Sequence, residues 1–174
     1  MEVAEVESVA AEAALLLIAA GILAAAIKLY TPVISSRVQE ARLREAEHLA
    51  LELQRLLEAA IKQGPNTTVS ASLTLPDGCV LVGNSTSLKL ILLKPPRYRG
   101  AVRLHEGDLT EVWVEPHGTY LAVVVRLSAG LVGEGWTLRF SSLPGLEGPC
   151  LSRAGGQVEV WARSLGGVVE AGWH

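Results

Sequence analysis

The histidines are the first residues to examine for metal binding or acid–base catalysis, and they lie far apart in this chain. The four are His48, His105, His117 and His174. The run 105–108, His-Glu-Gly-Asp, comes nearest to a cluster of metal ligands, and the ligand spacings typical of zinc sites do not occur there. A polar turn is the simpler interpretation of this run. We therefore predict no metal site, no catalytic residue and no bound cofactor, and we expect that the protein is not an enzyme.

Two further patterns resemble binding motifs only in part. Segment 130–135 is rich in glycine, but it lacks the lysine and the following helix of a phosphate-binding loop, which predicts a loop between strands. The chain has four tryptophans, Trp113, Trp136, Trp161 and Trp173, and the first three lie within strand patterns, where aromatic side chains ordinarily fill a core. We predict core positions for them rather than a platform for sugars or peptides.

Both asparagines of the chain begin a triplet of the N-glycosylation type. These triplets are Asn66-Thr67-Thr68 and Asn84-Ser85-Thr86. At average serine and threonine usage a given asparagine begins such a triplet roughly once in eight, so the occurrence of two favours an exported surface. The alternative is that these short polar runs are simply good turn formers. We predict Asn66 and Asn84 as glycosylation sites.

The two cysteines, Cys79 and Cys150, both lie in the C-terminal part of the chain beside turn-forming residues. One disulfide between them is our prediction, and it agrees with an exported domain. Two buried free thiols are the alternative.

The chain has two very different parts, and these must position the residues described above. Residues 9–34 are nearly all apolar, interrupted by Glu12, Lys28 and a few small or polar side chains. Spanning a bilayer takes about 20 helical residues, and the uncharged run 13–27 reaches this length when Lys28 extends its amine to the interface. The composition predicts a membrane-spanning helix.

Two alternatives to a retained membrane helix can be weighed from the flanking residues. A cleaved secretory signal ordinarily begins with basic residues, whereas residues 1–7 here contain three glutamates, and no clear cleavage site follows Lys28. A buried core helix would need an apolar environment on every side, because apolar side chains surround the whole helix. We expect the segment to be retained.

A second helical pattern follows Pro32, which should kink the helix or restart it with Ser35 or Ser36 as the new cap. Apolar residues then recur at three- and four-residue spacing, which predicts an amphipathic helix over 35–64. Gly64 and Pro65 should end it. The apolar positions of this repeat are Ala46, Leu49, Leu53, Leu56 and Ala60.

Beyond residue 65 the apolar period changes from 3.6 to 2, which predicts strands. The run 76–78, Pro-Asp-Gly, predicts a hairpin turn between residues 69–75 and 79–82. Spacing of the further strand patterns predicts either a β-sandwich or one curled sheet of six to eight strands. They cover residues 87–93, 111–114, 120–127, 136–140 and 158–163. The fold class is therefore α+β, with an apolar helix kinked near Pro32 and an antiparallel, sandwich-like β-domain over 65–174.

The layout resembles the type IV pilin superfamily, in particular archaeal pilins and archaellum components. An apolar helix rich in Ala, Leu and Ile over residues 11–27, a proline at Pro32 and an amphipathic continuation carry the resemblance. Pilin precursors have a short basic leader, whereas residues 1–7 are acidic. The chain therefore either differs from such a precursor or is an unprocessed accessory protein with a permanent anchor.

The resemblance implies roles for residues of the apolar helix. In this superfamily a glutamate near the helix start pairs with a neighbouring subunit's N-terminal amine, and Glu12, like Glu5 and Glu7, is similar to it. The alternative for Glu12 is a place at the membrane interface, near the positive end of the helix dipole. Small residues such as Gly21 and Ala25 allow neighbouring helices to approach closely. Glu12, Gly21, Ala25 and Pro32 are thus the predicted assembly residues.

A filament subunit is the function that the resemblance implies: a homo-oligomer whose helices bundle in the core, membrane-inserted before assembly and at the cell surface afterwards. The alternative is a single-pass accessory protein whose β-domain binds an envelope or motor partner. Basic residues within 28–44 favour a cytoplasmic C-terminal part, whereas the glycosylation triplets and cysteines favour the outside. We expect the outside, because glutamates interrupt those basic residues. The net charge of −3 predicts no nucleic acid as the primary partner.

Overall fold

A computed structural model describes the backbone of residues 2–84, 87–93, 98, 100–140 and 151–173, and the side chains in these ranges except those of 2–13 and 151–154. Contacts divide the chain into two compact units, Met1–Val38 and Gln39–His174. In chain order the elements are α1 (Glu2–Lys62), β1 (Thr68–Gly83), β2 (Ser87–Leu93), β3 (Val102–Glu106), β4 (Thr110–His117), β5 (Tyr120–Leu127), α2 (Ala129–Gly133), β6 (Thr137–Phe140), β7 (Leu151–Ser164) and β8 (Val168–Trp173).

Helix α1 passes through Pro32 as one continuous element, so a restart of the helix at Ser35 or Ser36 is wrong. The hydroxyls of these two serines instead donate to the carbonyls of Pro32 and Val33, each at 2.9 Å. The kink near Pro32 stays a prediction. The predicted end of the helix is confirmed: Gly64 adopts a φ of +88°, a conformation that favours glycine and stops the helical turn.

Residues 39–62, here called the second half of α1, are amphipathic, as their apolar spacing predicts. The five positions of the repeat, Ala46, Leu49, Leu53, Leu56 and Ala60, are all buried. They belong to the same core as the strands, so this half of the helix packs against the sheet. Beside this buried face the Lys62 amine lies 3.4 Å from the Glu58 carboxylate, one turn earlier in the helix.

The eight strands form one sheet, in the order β3-β4-β5-β2-β1-β7-β8-β6. Every neighbouring pair is antiparallel except β6 and β8, which run parallel. The α+β class is confirmed. The strand order gives the predicted single sheet rather than the β-sandwich. The long middle strand β1 links the two halves of this sheet.

The hairpin predicted at residues 76–78 is wrong. Strand β1 continues through Pro76 and Gly78, and its pairing with β7 shifts between Leu75 and Val80. Residues 76–79 lie opposite the single residue Gly155 and form an irregularity of the bulge kind, with Gly78 at a φ of +76°. Proline is tolerated there because a bulge does not require its missing N–H. Partner β7 therefore pairs with β1 on both sides of the bulge.

The core lies on the sheet face that meets the second half of α1. Leu81, Leu90, Val123 and Val114 stand opposite one another across β1, β2, β5 and β4, and all are buried. Since side chains alternate between the two faces of a strand, this register gives one continuous apolar face. Leu53 of α1 belongs to the same buried cluster.

A close contact joins β6, the strand at one edge of the sheet, to β1 inside the sheet. The ring of Phe140 in β6 lies against Gly83 in β1, such that a Cβ added to Gly83 would be 2.5 Å from Phe140 Cγ. Phe140 is itself buried and packs near Trp173, with ring centroids 6.0 Å apart. The ring has little room to move aside.

We therefore expect Gly83→Ala to destabilise the protein by about 1–3 kcal/mol, because the new methyl group overfills a packed contact. The measurement is the free energy of unfolding in urea. Gly133→Ala is the matched control, since a Cβ at Gly133 meets nothing within 4 Å. A Gly83→Ala protein as stable as the control variant would contradict this packing.

Candidate membrane and assembly segment

The apolar residues of α1 between Ala14 and Ile34, here called the apolar segment, lie exposed within the chain. Its large apolar side chains, from Leu15 at 66% to Ile34 at 60%, are all among the exposed residues. Soluble monomers rarely expose a continuous apolar surface of this kind. Such a surface marks a place for lipid or for another protein.

Apolar side chains surround the segment on every side. Leu15, Leu16, Leu17 and Ile18 are successive residues, and each is more than half exposed. At about 100° per residue, four successive residues cover the full circumference of a helix. A helix with an apolar stripe on one side would suit packing on one partner surface, whereas this helix suits an environment that is apolar all around.

The polar groups within the segment are largely satisfied by the helix itself. Pro32 has no N–H to offer the preceding turn, and beside it the Thr31 hydroxyl donates to the Ile27 carbonyl at 2.6 Å. Serine and threonine hydroxyls bonded to their own helix in this way are tolerated in hydrocarbon. Lys28 is the one charged side chain in the segment, and its long stem can carry the amine to an interface.

The length of the segment suits one crossing of a bilayer. At about 1.5 Å per residue, helical residues 14–34 extend for about 30 Å, which is the thickness of the hydrocarbon region. The part of α1 from Ala14 onward is long and apolar enough to span a membrane, and none of its most apolar stretch is buried within the chain. A signal sequence close to an N-terminus has the same properties.

The predicted assembly residues all lie on helix α1, but the structure describes them unequally. Gly21, Ala25 and Pro32 are exposed, and a Cβ added to Gly21 would meet nothing within 4 Å. Glu12 lies in the helix, and its side chain is outside the described part. No contact within the described chain occupies the surface around Gly21, so that surface is open to a partner helix.

The second half of α1 is fixed to the sheet by a polar cluster that the sequence did not reveal. The Glu58 carboxylate accepts a hydrogen bond of 2.8 Å from the Thr110 hydroxyl, and Gln54 donates to both Glu58 and the Thr110 carbonyl. Gly107 leaves the space for this contact, because a Cβ there would lie 2.7 Å from Gln54 Nε2. The cluster attaches the helix to the turn between β3 and β4.

The hydrogen-bond partners of Glu58 also change its pKa. Burial disfavours the charged carboxylate, but hydrogen bonds from Thr110, Lys62 and Gln54 together outweigh that effect and lower the pKa. The folded state therefore favours the ionised form of Glu58. Each of its partners donates a hydrogen bond. An ionised carboxylate accepts such hydrogen bonds more strongly than a neutral carboxylic acid does.

The tryptophans occupy both faces of the sheet, so the prediction that three of them fill the core is partly wrong. Trp136 packs against the core, and Trp161 is buried but lies on the opposite face, between the core residues Val160 and Ala162 of β7. Trp113 is only half-buried. The alternation of side chains along each strand sets these positions. The sequence pattern did not show which residues of β4 face the core.

Trp113 belongs to a polar cluster on the face of the sheet away from α1. Its indole N–H donates to Glu111 at 2.8 Å, and the Arg126 guanidinium lies 4.6 Å from its ring centroid. The indole hydrogen bond, with the adjacent Arg126 guanidinium, keeps the pKa of Glu111 below its usual value despite partial burial. Trp113 and Arg126 thus both donate hydrogen bonds to Glu111. Such an arrangement is typical of a polar surface cluster with a structural role.

No group of three side chains suited to holding a metal ion occurs among the residues with described side chains. His105 lies near the end of β3, beside the turn to β4. His117 stacks on Tyr120, with ring centroids 4.8 Å apart. The segment 130–135 includes part of the short helix α2 rather than only a loop. The glycine-rich run thus connects β5 to β6 through a single helical turn.

Cys79 is buried in β1 and has no disulfide partner among the described residues, and burial raises the pKa of its thiol to about 11. A protonated thiol of this kind is a poor nucleophile, which argues against a catalytic role for Cys79. Cys150 lies outside the described residues, so its disulfide with Cys79 stays a prediction.

The chain was compared with models of protein families, with curated proteins and with solved structures. None of them matches. The resemblance to type IV pilins therefore stays a prediction from the sequence.

Proposed function

We propose that this protein is a structural subunit of an extracellular filament of the type IV pilus kind. The apolar segments of many copies bundle in the filament core, and the β-domains coat the outside. Before assembly each segment resides in the membrane. One observation carries the proposal: the large apolar side chains from Leu15 to Ile34 are all exposed, while the second half of the same helix is buried in a folded domain.

An exposed apolar helix has two favourable environments, lipid hydrocarbon and the sides of other apolar helices. The make-up of the segment favours the second as its final location. Small residues occupy Ala19–Gly21 and Ala24–Ala26, and Gly21 has open space around it. A lone lipid-facing anchor gains from large side chains on every side, whereas small residues allow helix backbones to approach closely. A repeated close contact of this kind is what a filament core requires.

The second candidate is a single-pass anchor that presents the β-domain to an envelope or motor partner. The length of the segment supports it, because about 30 Å of apolar helix matches one bilayer crossing. Both candidates place the segment in a membrane at first. They differ in whether copies of the segment later contact one another.

Bulky substitutions at the small positions separate the two candidates. Gly21→Phe and Ala25→Phe keep the helix apolar, so we expect membrane insertion to persist while filaments are lost. Overfilling a close contact costs about 1–3 kcal/mol, and a filament repeats that cost at every subunit. The measurement pairs membrane fractionation with a count of assembled filaments on cells.

Leu23→Phe is the matched control, since this position already carries a large, exposed side chain in the same segment. We expect it to change filament yield less than the other two substitutions. If Gly21→Phe and Ala25→Phe leave both insertion and filament yield at the wild-type level, the single-pass anchor is the better function.

A further inference from the structure

The two glycosylation triplets lie in different local structures. Asn66 sits in the connection between α1 and β1, is exposed, and adopts a φ of +67°. Asparagine is one of the few non-glycine residues that enter this left-handed region readily. Its backbone N–H donates to the Ser164 carbonyl at 2.8 Å. The backbone at Asn66 is thus held in place while its side chain points into an accessible turn.

The side-chain amide of Asn66 has no hydrogen-bond partner within the described part of the chain, and Asn66 is exposed to solvent. The third residue of the triplet, Thr68, is also exposed, at the first position of β1. Both side chains that define the triplet are therefore accessible on the folded domain.

Asn84 is instead bound to Ser87, the first residue of β2. Its side-chain oxygen accepts hydrogen bonds from the Ser87 N–H at 2.7 Å and from the Ser87 hydroxyl at 3.0 Å. A backbone N–H can only donate, so the contacting atom of Asn84 is its carbonyl oxygen. The Asn84 N–H in turn donates to the Ser87 carbonyl at 2.9 Å. Asn84 is half-buried, Ser87 is buried, and the pair closes the connection between β1 and β2.

We infer that Asn66 is the N-glycosylation acceptor of this protein and that Asn84 stays unmodified on the folded domain. The inference rests on the exported location that the proposed function gives the β-domain. In the transfer, the Asn66 amide nitrogen bonds to C1 of a lipid-phosphate-linked oligosaccharide. The bond from C1 to the phosphate oxygen breaks, the lipid phosphate leaves, and the amide nitrogen loses one proton.

Accessibility decides between the two sites because the transferring enzyme must grip the asparagine amide and the hydroxyl of the third residue together. At Asn66 and Thr68 both groups face solvent. At Asn84 the amide oxygen would first have to leave its two hydrogen bonds to Ser87, a buried residue at the start of β2. The carbohydrate would then lie at the helix end of the β-domain, next to the start of β1.

The test is glycopeptide mapping by mass spectrometry of full-length protein isolated from its native cell surface. We expect a carbohydrate on the peptide that contains Asn66 and none on the peptide that contains Asn84. Asn66→Gln should remove all carbohydrate mass from the intact protein, and Asn84→Gln should leave it unchanged. Thr68→Ser should keep the modification, whereas Thr68→Val should abolish it without altering the shape of the side chain.

A carbohydrate on Asn84, or an unmodified Asn66, overturns the inference. Protease treatment of intact cells separates this failure from a failure of the proposed function. If the protease cleaves the β-domain and Asn66 is unmodified, the domain is exported and only the site assignment is wrong. If the β-domain is protected because it faces the cytoplasm, the exported location is wrong and the inference fails with it.

Discussion

Removal of residues 1–34 is expected to convert the protein into a soluble β-domain that neither enters membranes nor joins filaments. The deleted part contains the whole exposed apolar segment. Each Leu or Ile at the centre of a bilayer contributes roughly 0.3–0.6 kcal/mol to membrane insertion, and the loss of all of them removes the driving force. The measurement is the distribution of truncated and full-length protein between membrane, filament and soluble fractions.

The truncated protein should remain folded, because the buried positions of α1 begin at Leu43 and the core lies within Gln39–His174. Its circular dichroism and its unfolding transition serve as the control for intact structure. Normal filaments or membrane-bound protein from the truncated chain would contradict the role given to the apolar segment. An unfolded truncated protein would instead contradict the independence of the β-domain.

The second large effect contrasts two leucines on the same helix. Leu53 is 1% exposed and Leu15 is 66% exposed, so the same change to alanine removes core packing at one position only. We expect Leu53→Ala to destabilise the β-domain by about 2–5 kcal/mol, through lost burial and the cavity left behind. Leu15→Ala should leave the stability of that domain nearly unchanged.

Tryptophan fluorescence of the full-length protein in detergent measures this contrast. All four tryptophans follow residue 112, so their signal reports the unfolding of the β-domain alone. The unfolding midpoints of the two variants are compared with that of the wild type. Equal shifts for the two variants would mean that the halves of α1 do not have the separate environments described above.

The helical part of the fold was predictable because its signals are local. Repeats such as Leu49, Leu53 and Leu56 fix the buried face of a helix by spacing alone, and Gly64 followed by Pro65 fixes its end. The structure confirms both. The apolar segment was likewise readable from composition, since no nearby polar residue gives it a solvent-facing side.

The β-domain was less predictable because its decisive contacts are distant in sequence. The run 76–78 has residues that suit a turn and a bulge equally, and only pairing with β7, about 80 residues later, selects the bulge. Strand β8 was missed because its residues, with Glu170 and Gly172 among them, do not alternate clearly. It pairs in parallel with β6 and antiparallel with β7.

The polar attachment of α1 to the sheet also lay beyond the sequence. Gln54 and Glu58 stand one turn apart on a helix and suggest only an exposed polar face. Their partner Thr110 follows more than 50 residues later, and only the packing of α1 across the sheet brings the three together. Gly107 carried no local signal, because its role depends on the closeness of the helix side chains.

Electron microscopy of native material purified from cells tests the central claim most directly. The proposed function predicts uniform filaments that contain this protein as their repeating subunit, with the apolar segments in the core and the β-domains outside. Labelling with an antibody against the β-domain should decorate such filaments along their whole length. Dispersed membrane protein, with no filament that the antibody labels, would contradict the account.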